Sequence, residues 1–167
     1  MKPVNLIQKI VSGGQTGADQ GALLAAKKCA IKTGGFAPKG WKTEAGANPS
    51  LCLTYNLVEC NTDDYAERTE KNVKTTDLTL IFSDRNSKGS LLTKSICDKK
   101  GKPYLMLSTL AWNEETDLSV TELLHNVYKE KNRPLFLNIA GNRESVSPGI
   151  KNRVAEILER LLNGYKV

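Results

Sequence analysis

The stretch Ser12-Gly13-Gly14-Gln15-Thr16-Gly17-Ala18-Asp19 brings together the residue types that an anion site needs. Gly13, Gly14 and Gly17 let the backbone approach a ligand closely and take positive φ. Thr16 supplies a hydroxyl and Gln15 an amide. Asp19 falls in the first turn of the following helix, where it complements the dipole or accepts from an N–H-bearing ring. A short apolar run, Ile7 to Val11, leads into the turn, and an alanine-rich stretch, Gly21 to Ala30, leaves it. Strand, glycine turn, helix is the build that sets backbone N–H groups against a phosphate. The run is not G-x-G-x-x-G, because Gly13 and Gly14 are adjacent, and no Gly-Lys-Ser/Thr closes it as in a P-loop. The plainer alternative is a tight turn whose glycines serve helix–strand packing.

Other segments offer matching chemistry. Lys88-Gly89-Ser90-Leu91-Leu92-Thr93 opens a helix after a buried strand. Its first-turn N–H groups at Gly89 and Ser90, with the hydroxyls of Ser90 and Thr93, suit an oxyanion. Tyr65, Arg68, Thr69 and Asn72 stand at i, i+3, i+4 and i+7, a spacing that usually carries an apolar stripe. A polar stripe facing inward needs hydrogen-bond partners or a ligand. Alternatively this is the solvated face, with Ala66 and Val73 buried. Lys39, Gly40 and Lys42 lie on a loop shaped by Gly35 and Pro38, either as an anion clamp or as a solvated turn. Ser83 follows one apolar strand, and Asn142 and Arg143 follow another. Arg143 orients a polar ring, binds phosphate, or anchors its loop through an ion pair.

Catalytic groups are scarcer. The single histidine, His125, lies far from these loops in sequence and reads as a surface or boundary residue. Without it no Ser–His or Cys–His pair can be drawn. The acids near the loops, Asp19, Glu44, Glu67, Glu70, Asp84 and Glu144, form no evident pair. No catalytic residue and no metal ligand is therefore assigned. Cys29, Cys52, Cys60 and Cys97 lack C-x-x-C spacing and read as reduced, mostly buried thiols.

These residues need a scaffold, and the chain supplies the pattern of one. Its 167 residues suit one domain, 1–167, with a real core. Hydrophobic residues make up 40% and charged residues 25%, as in ordinary globular proteins. With 24 basic and 18 acidic residues the net charge is +6, but no Lys/Arg-dense run or base-stacking motif points to nucleic acid. A small phosphorylated anion is the better match. No apolar run is long enough for a membrane span, and Met1 to Asn5 lacks a signal-peptide h-region, so a cytoplasmic location is expected.

Periodicity predicts strands over Ile7–Val11, Tyr55–Cys60, Leu78–Phe82, Tyr104–Leu107 and Leu135–Ala140. Helices are predicted over Gly17–Ala30, Asp63–Thr75 (capped by Thr62), Gly89–Lys100, Asp117–Lys131 and Pro148–Asn163. Thr33 to Pro49 reads mostly as loop. Alternating strands and helices imply a Rossmann-like three-layer α/β/α fold with a mainly parallel sheet. Ligands bind such sheets beyond the carboxyl ends of the strands, where these loops should converge.

The motifs together resemble those of the molybdenum cofactor carrier proteins. The resemblance rests on Gly13 to Asp19, Gly35 to Gly40, Asp64 to Val73, Gly89 to Thr93, Gly101-Lys102-Pro103 and Asn138 to Ser145, in family order. It implies a Rossmann-like fold distantly akin to the phosphoribohydrolases once labelled lysine decarboxylases. It implies binding, protection and transfer of the molybdenum cofactor, a metallopterin dithiolene with a terminal phosphate, without catalysis. It also implies a homotetramer that serves a molybdoenzyme or a cofactor-synthesis partner. The residues assigned to the cargo are Gly13, Gly14, Gln15, Thr16, Gly17, Asp19, Lys39, Gly40, Arg68, Thr69, Asn72, Ser83, Gly89, Ser90, Thr93, Asn142 and Arg143. Two positions depart from the family: Gln20 stands where an arginine is usual, and Lys88 where a second glycine is common. The alternatives are a hydrolase acting on a nucleoside monophosphate and a nucleotide-sensing module. A Pro-Gly-Gly-x-Gly-Thr-x-x-Glu motif would favour hydrolysis, and the turn at Lys88 lacks its glutamate.

Overall fold

A computed structural model describes residues 6–164. The reading of Met1 to Asn5 lies outside the described residues. Six parallel strands form the sheet in the order β5-β2-β1-β8-β6-β7: β1 Ile7–Val11, β2 Lys32–Ala37, β5 Leu57–Glu59, β6 Leu78–Phe82, β7 Tyr104–Leu107 and β8 Leu135–Gly141. A two-stranded hairpin, β3 Lys42–Thr43 and β4 Gly46–Ala47, stands apart from it. The helices are α1 Ala18–Lys28, α2 Ser50–Tyr55, α3 Tyr65–Lys74, α4 Lys88–Lys100, α5 Glu114–Lys131 and α6 Ile150–Gly164. This is the Rossmann-like three-layer α/β/α fold.

Strand alternation sorts the layers. Leu78, Leu80 and Phe82 of β6, and Leu135, Leu137 and Ile139 of β8, face one core shared with α1, α5 and α6. The intervening residues face the other way: paired Thr79 and Asn138 hydrogen-bond at 3.2 Å. On that side Val73 of α3 packs with Ile96 and Cys97 of α4. The apolar stripe of α6, Ile150, Val154, Ile157, Leu158, Leu161 and Leu162, is buried throughout. No helix among the described residues is long and apolar enough to cross a membrane.

The stretch from Thr33 to Pro49 is more ordered than its composition suggests. It contains most of β2, a 3-10 turn at Lys39–Trp41 and the β3–β4 hairpin. Two glycines disguise β2. Gly35 has φ 129°, and a Cβ there would sit 2.1 Å from the Ser12 carbonyl oxygen. Contact with Ser12, just beyond β1, excludes at Gly35 the side chains that normally signal a strand. α2 is also unpredicted, being six residues long with only Leu51 buried. The strand expected from Tyr55 therefore begins at Leu57, after Asn56 takes a left-handed conformation. α3 is capped by Asp64, whose carboxylate accepts from the Ala66 N–H. Thr62 instead donates to Glu67. α5 begins at Glu114, one turn early, because Asn113 caps it through the Thr116 N–H.

α1 and α6 cross at Gly21. A Cβ at that position would lie 2.3 Å from the Lys151 carbonyl oxygen. Helix propensity favours alanine over glycine by about 1 kcal/mol, but the clash is with backbone and has no flexible tip to move. Gly21→Ala is expected to lower stability by about 1–3 kcal/mol, measured by urea denaturation. An unchanged or raised midpoint would show that the helices can separate at no cost.

Candidate functional site

The carboxyl ends of β1, β6 and β8 carry the glycine turn, the loop into α4 and the loop into α6. A cavity of about 420 Å³ opens among them, with α3 as a further wall. It lies at the inner part of the sheet, where β8 sits between β1 and β6, as the strand-end rule requires. Of the residues assigned from sequence, Gln15, Asp19, Arg68, Thr69, Gly89, Thr93 and Arg143 line it.

Asp19 and Arg68 meet in the wall. The Arg68 guanidinium Nη1 donates to Asp19 Oδ2 at 3.2 Å, and the Gln15 N–H donates to the same oxygen at 3.1 Å. Asp19 is 3% exposed. Burial pushes its carboxyl above the ordinary value, against the pull of Arg68 and of the Gln15 N–H. Gly13 makes the pair possible, since a Cβ there would fall 1.9 Å from Arg68 Nη1. Tyr65 adds an aromatic face: Lys42 Nζ stands 4.9 Å from its ring centre, the Arg68 guanidinium carbon 5.4 Å and that of Arg143 5.7 Å. Each distance is within cation–π range.

Glu44, at the tip of the β3–β4 hairpin, ties the loops together. Its carboxylate accepts from the Thr16 hydroxyl, from the Ser145 hydroxyl and from the Ser145 N–H at 3.1 Å. Arg143 Nε lies 3.9 Å away. Burial opposes ionisation, yet the Ser145 and Thr16 donors with Arg143 hold the Glu44 carboxyl below its usual range. Gln15 completes the clip, its Oε1 accepting from the Thr16 N–H at 3.0 Å and the Glu44 N–H at 2.9 Å.

The other assigned residues are engaged elsewhere. The Thr16 hydroxyl donates to Glu44 and accepts from the Glu144 N–H. The Asn72 amide binds both backbone groups of Phe36, at 2.8 and 3.0 Å, and so fixes β2 to α3. The Asn142 amide holds the Arg85 backbone from both sides, at 2.9 Å each. Ser83 donates to the Arg85 carbonyl. Ser90 shares the cap of α4 with Ser87. Gly14 packs against Leu51 and Leu57, and Gly17 against the Asn142 carbonyl. Lys39 and Gly40 are exposed on the 3-10 turn, outside the cavity lining, and the Gly40 N–H reaches Glu59 at 2.8 Å.

Tyr65, Lys88, Leu92, Gly141 and Ser145, which stand in the candidate motifs but were not assigned to the cargo, also line the cavity, as do Ser87, Ala140 and Val146. Ser87 was signalled by its place three residues before Ser90, an N-cap spacing. The role of Glu44 had no local signal, because its partners lie 28 and 101 residues away. Among the described residues no cluster of His, Cys, Asp or Glu is arranged to hold a metal ion. Cys29, Cys60 and Cys97 are buried, Cys52 is exposed, and none of the four lines the cavity. His125 is exposed on α5.

The profile of the family described as "Circularly permutated YpsA SLOG family" matches residues 10–162. A solved structure named "Putative molybdenum carrier protein", from Syntrophus aciditrophicus SB, is similar at 39% identity and a TM-score of 0.80. The match covers 97% of this chain and 98% of that one. Comparison with curated proteins gave no match.

Beside the cavity, Asp84 anchors the strand ends. It accepts from the Thr109 N–H and hydroxyl, both at 2.6 Å, from Ser147 at 2.9 Å and from Arg153 at 3.0 Å. Its side chain is wholly buried. Burial alone would raise its pKa, but these donors hold it at about 2, against an ordinary 3.8. The depressed value contributes about 2 kcal/mol, fully present above the unfolded-state pKa and lost as pH falls through the folded one. Chemical denaturation across pH should show Asp84→Asn less stable than the parent by at least about 2 kcal/mol at pH 7. That gap should narrow between pH 4 and pH 2. A gap independent of pH would remove the carboxylate from this account.

Proposed function

From the premise that the chain belongs to the circularly permuted YpsA SLOG family, we propose that it binds, protects and hands over the molybdenum cofactor without transforming it. The observation that carries this reading is a pair of buried donors without acceptors, carried by two side chains that line the cavity. Gln15 Nε2 and Arg68 Nε are buried without hydrogen-bond partners, and both residues line the cavity. The first turn of α4, at Lys88 and Gly89, adds N–H groups that no helical carbonyl reaches. Such a wall suits the phosphate and metal-oxo oxygens of a metallopterin, and Tyr65 and Leu92 offer surface for its rings. The volume, about 420 Å³, lies within the range of small-molecule sites. The name of the solved relative, which gives molybdenum as what it carries, supports a molybdenum-bearing cargo. The proposal includes assembly and hand-over. Leu53 and Val58 near one sheet edge, and Met106 and Leu110 near the other, are exposed apolar groups suited to partner copies in a homotetramer.

Titration of the purified protein with molybdenum cofactor and with nucleoside monophosphates tests the reading. Saturable cofactor binding and no free base from the monophosphates are expected. Base release would replace the carrier with a hydrolase. Arg68→Ala should weaken cofactor binding about 10- to 100-fold, the worth of a hydrogen bond to a charged group. Gly13→Ala should act in the same direction, since its Cβ displaces the guanidinium tip. Gly13 is outside the left-handed region, so the substitution adds no backbone strain. Unchanged affinity in both variants would place the cargo elsewhere.

A further inference from the structure

Gln15 is 5% exposed, and the two ends of its side-chain amide have unlike surroundings. Oε1 accepts two backbone N–H groups, from Thr16 and Glu44. Those donors set the amide's orientation, because a flip would turn NH₂ hydrogens against N–H hydrogens. Nε2 is thereby directed away from both clips. It is buried and has no acceptor among the described residues, on a side chain that lines the cavity. A buried donor without a partner costs about 1–3 kcal/mol, so a structure that keeps one has a use for it.

The surrounding groups have the same polarity. Arg68 has a second partnerless donor in Nε, and the α4 N-terminus lines the same cavity through Ser87, Lys88 and Gly89. The acid in the cavity lining, Asp19, is already engaged by Arg68 and the Gln15 N–H. We infer that Gln15 is a specificity-determining residue whose locked amide presents only a donor, so that this end of the cavity admits an oxyanion and rejects a donor-bearing group. The inference rests on the cavity being the cargo site, and it assigns the oxyanion end of the cargo to Gln15. Two groups of a metallopterin have this chemistry, the terminal phosphate and the metal-oxo unit.

Inorganic phosphate and molybdate serve as probes, followed by calorimetry on the full chain. Both should bind the parent protein and compete with each other, while guanidinium, a donor-only cation, should displace neither. Gln15→Glu keeps the acceptor for Thr16 and Glu44 but replaces the donor with a charge. It should retain the parent's thermal midpoint and bind phosphate at least about tenfold more weakly. Gln15→Met removes the donor without adding charge and should fall between the two. A Gln15→Glu penalty shared by the cofactor and its metal-free pterin assigns the phosphate to this end; a penalty confined to the metallated form assigns the oxo unit. Phosphate binding by Gln15→Glu at parental strength overturns the inference, and it leaves the carrier reading standing if Arg68→Ala still weakens the cofactor. A parent that binds neither oxyanion nor cofactor overturns both. Displacement of phosphate by guanidinium overturns the polarity argument on the parent alone, whatever the variants do.

Discussion

The Asp19–Arg68 pair is the contact on which the arrangement of the cavity depends. Asp19 comes from the first turn of α1 and Arg68 from α3, helices packed in different layers of the fold. They meet over the end of β1, in space that Gly13 leaves open. Removing two charges from water costs several kcal/mol per ion, and their attraction offsets this only with good geometry and further hydrogen bonds. Here Gln15 supplies one such bond. A pair of this kind adds little net stability. Its consequence is positional: it holds one edge of a guanidinium and leaves Nε without a partner.

Glu44 and Asp84 extend this division of polarity. Glu44 accepts from two loops, and Asp84, just beyond β6, accepts from Thr109 beyond β7, from Ser147 beyond β8 and from Arg153 on α6. With Asp19, these buried or partly covered acids are engaged by structural donors. What remains without an intramolecular partner at the cavity is donor in character. On the proposed reading, a site built this way suits an oxyanion without requiring a high net charge. Of the cations beside it, Arg68 is paired with Asp19, Arg143 with Glu44, and Lys42 with Asp63 at 3.7 Å.

The layered fold was legible because long buried strands and amphipathic helices carry strong periodic signals. Leu78–Phe82 and the stripe of α6 are examples. β2 was not legible, because contact with Ser12 demands Gly35 and so removes the β-branched side chains that mark a strand. The convergence of the loops could be read from strand order and polarity alone. The division of labour within them could not. Thr16, Asn72 and Asn142 have the same chemistry as cargo-binding groups, yet in the fold they hold Glu44, Phe36 and Arg85. Residue type tells what a side chain can donate or accept. Only the fold tells whether a backbone group has already taken it.

The two departures from the carrier pattern can be weighed on the same terms. Gln20 donates from Nε2 to the Gly14 carbonyl at 3.1 Å, so it braces the glycine turn and is not aimed at a ligand. Lys88 lines the cavity at the start of α4, where a cation works against the helix dipole. That local disfavour disappears when an anion binds between the lysine and the helix N–H groups, since both then face opposite charge. The position is thus better matched to the loaded protein than to the empty one. The proposed carrier role also requires that the cargo be let go. Contacts made only of hydrogen bonds and an exposed lysine can be exchanged for water one at a time, whereas a thiolate–metal bond would have to break at once, and no cysteine lines this cavity.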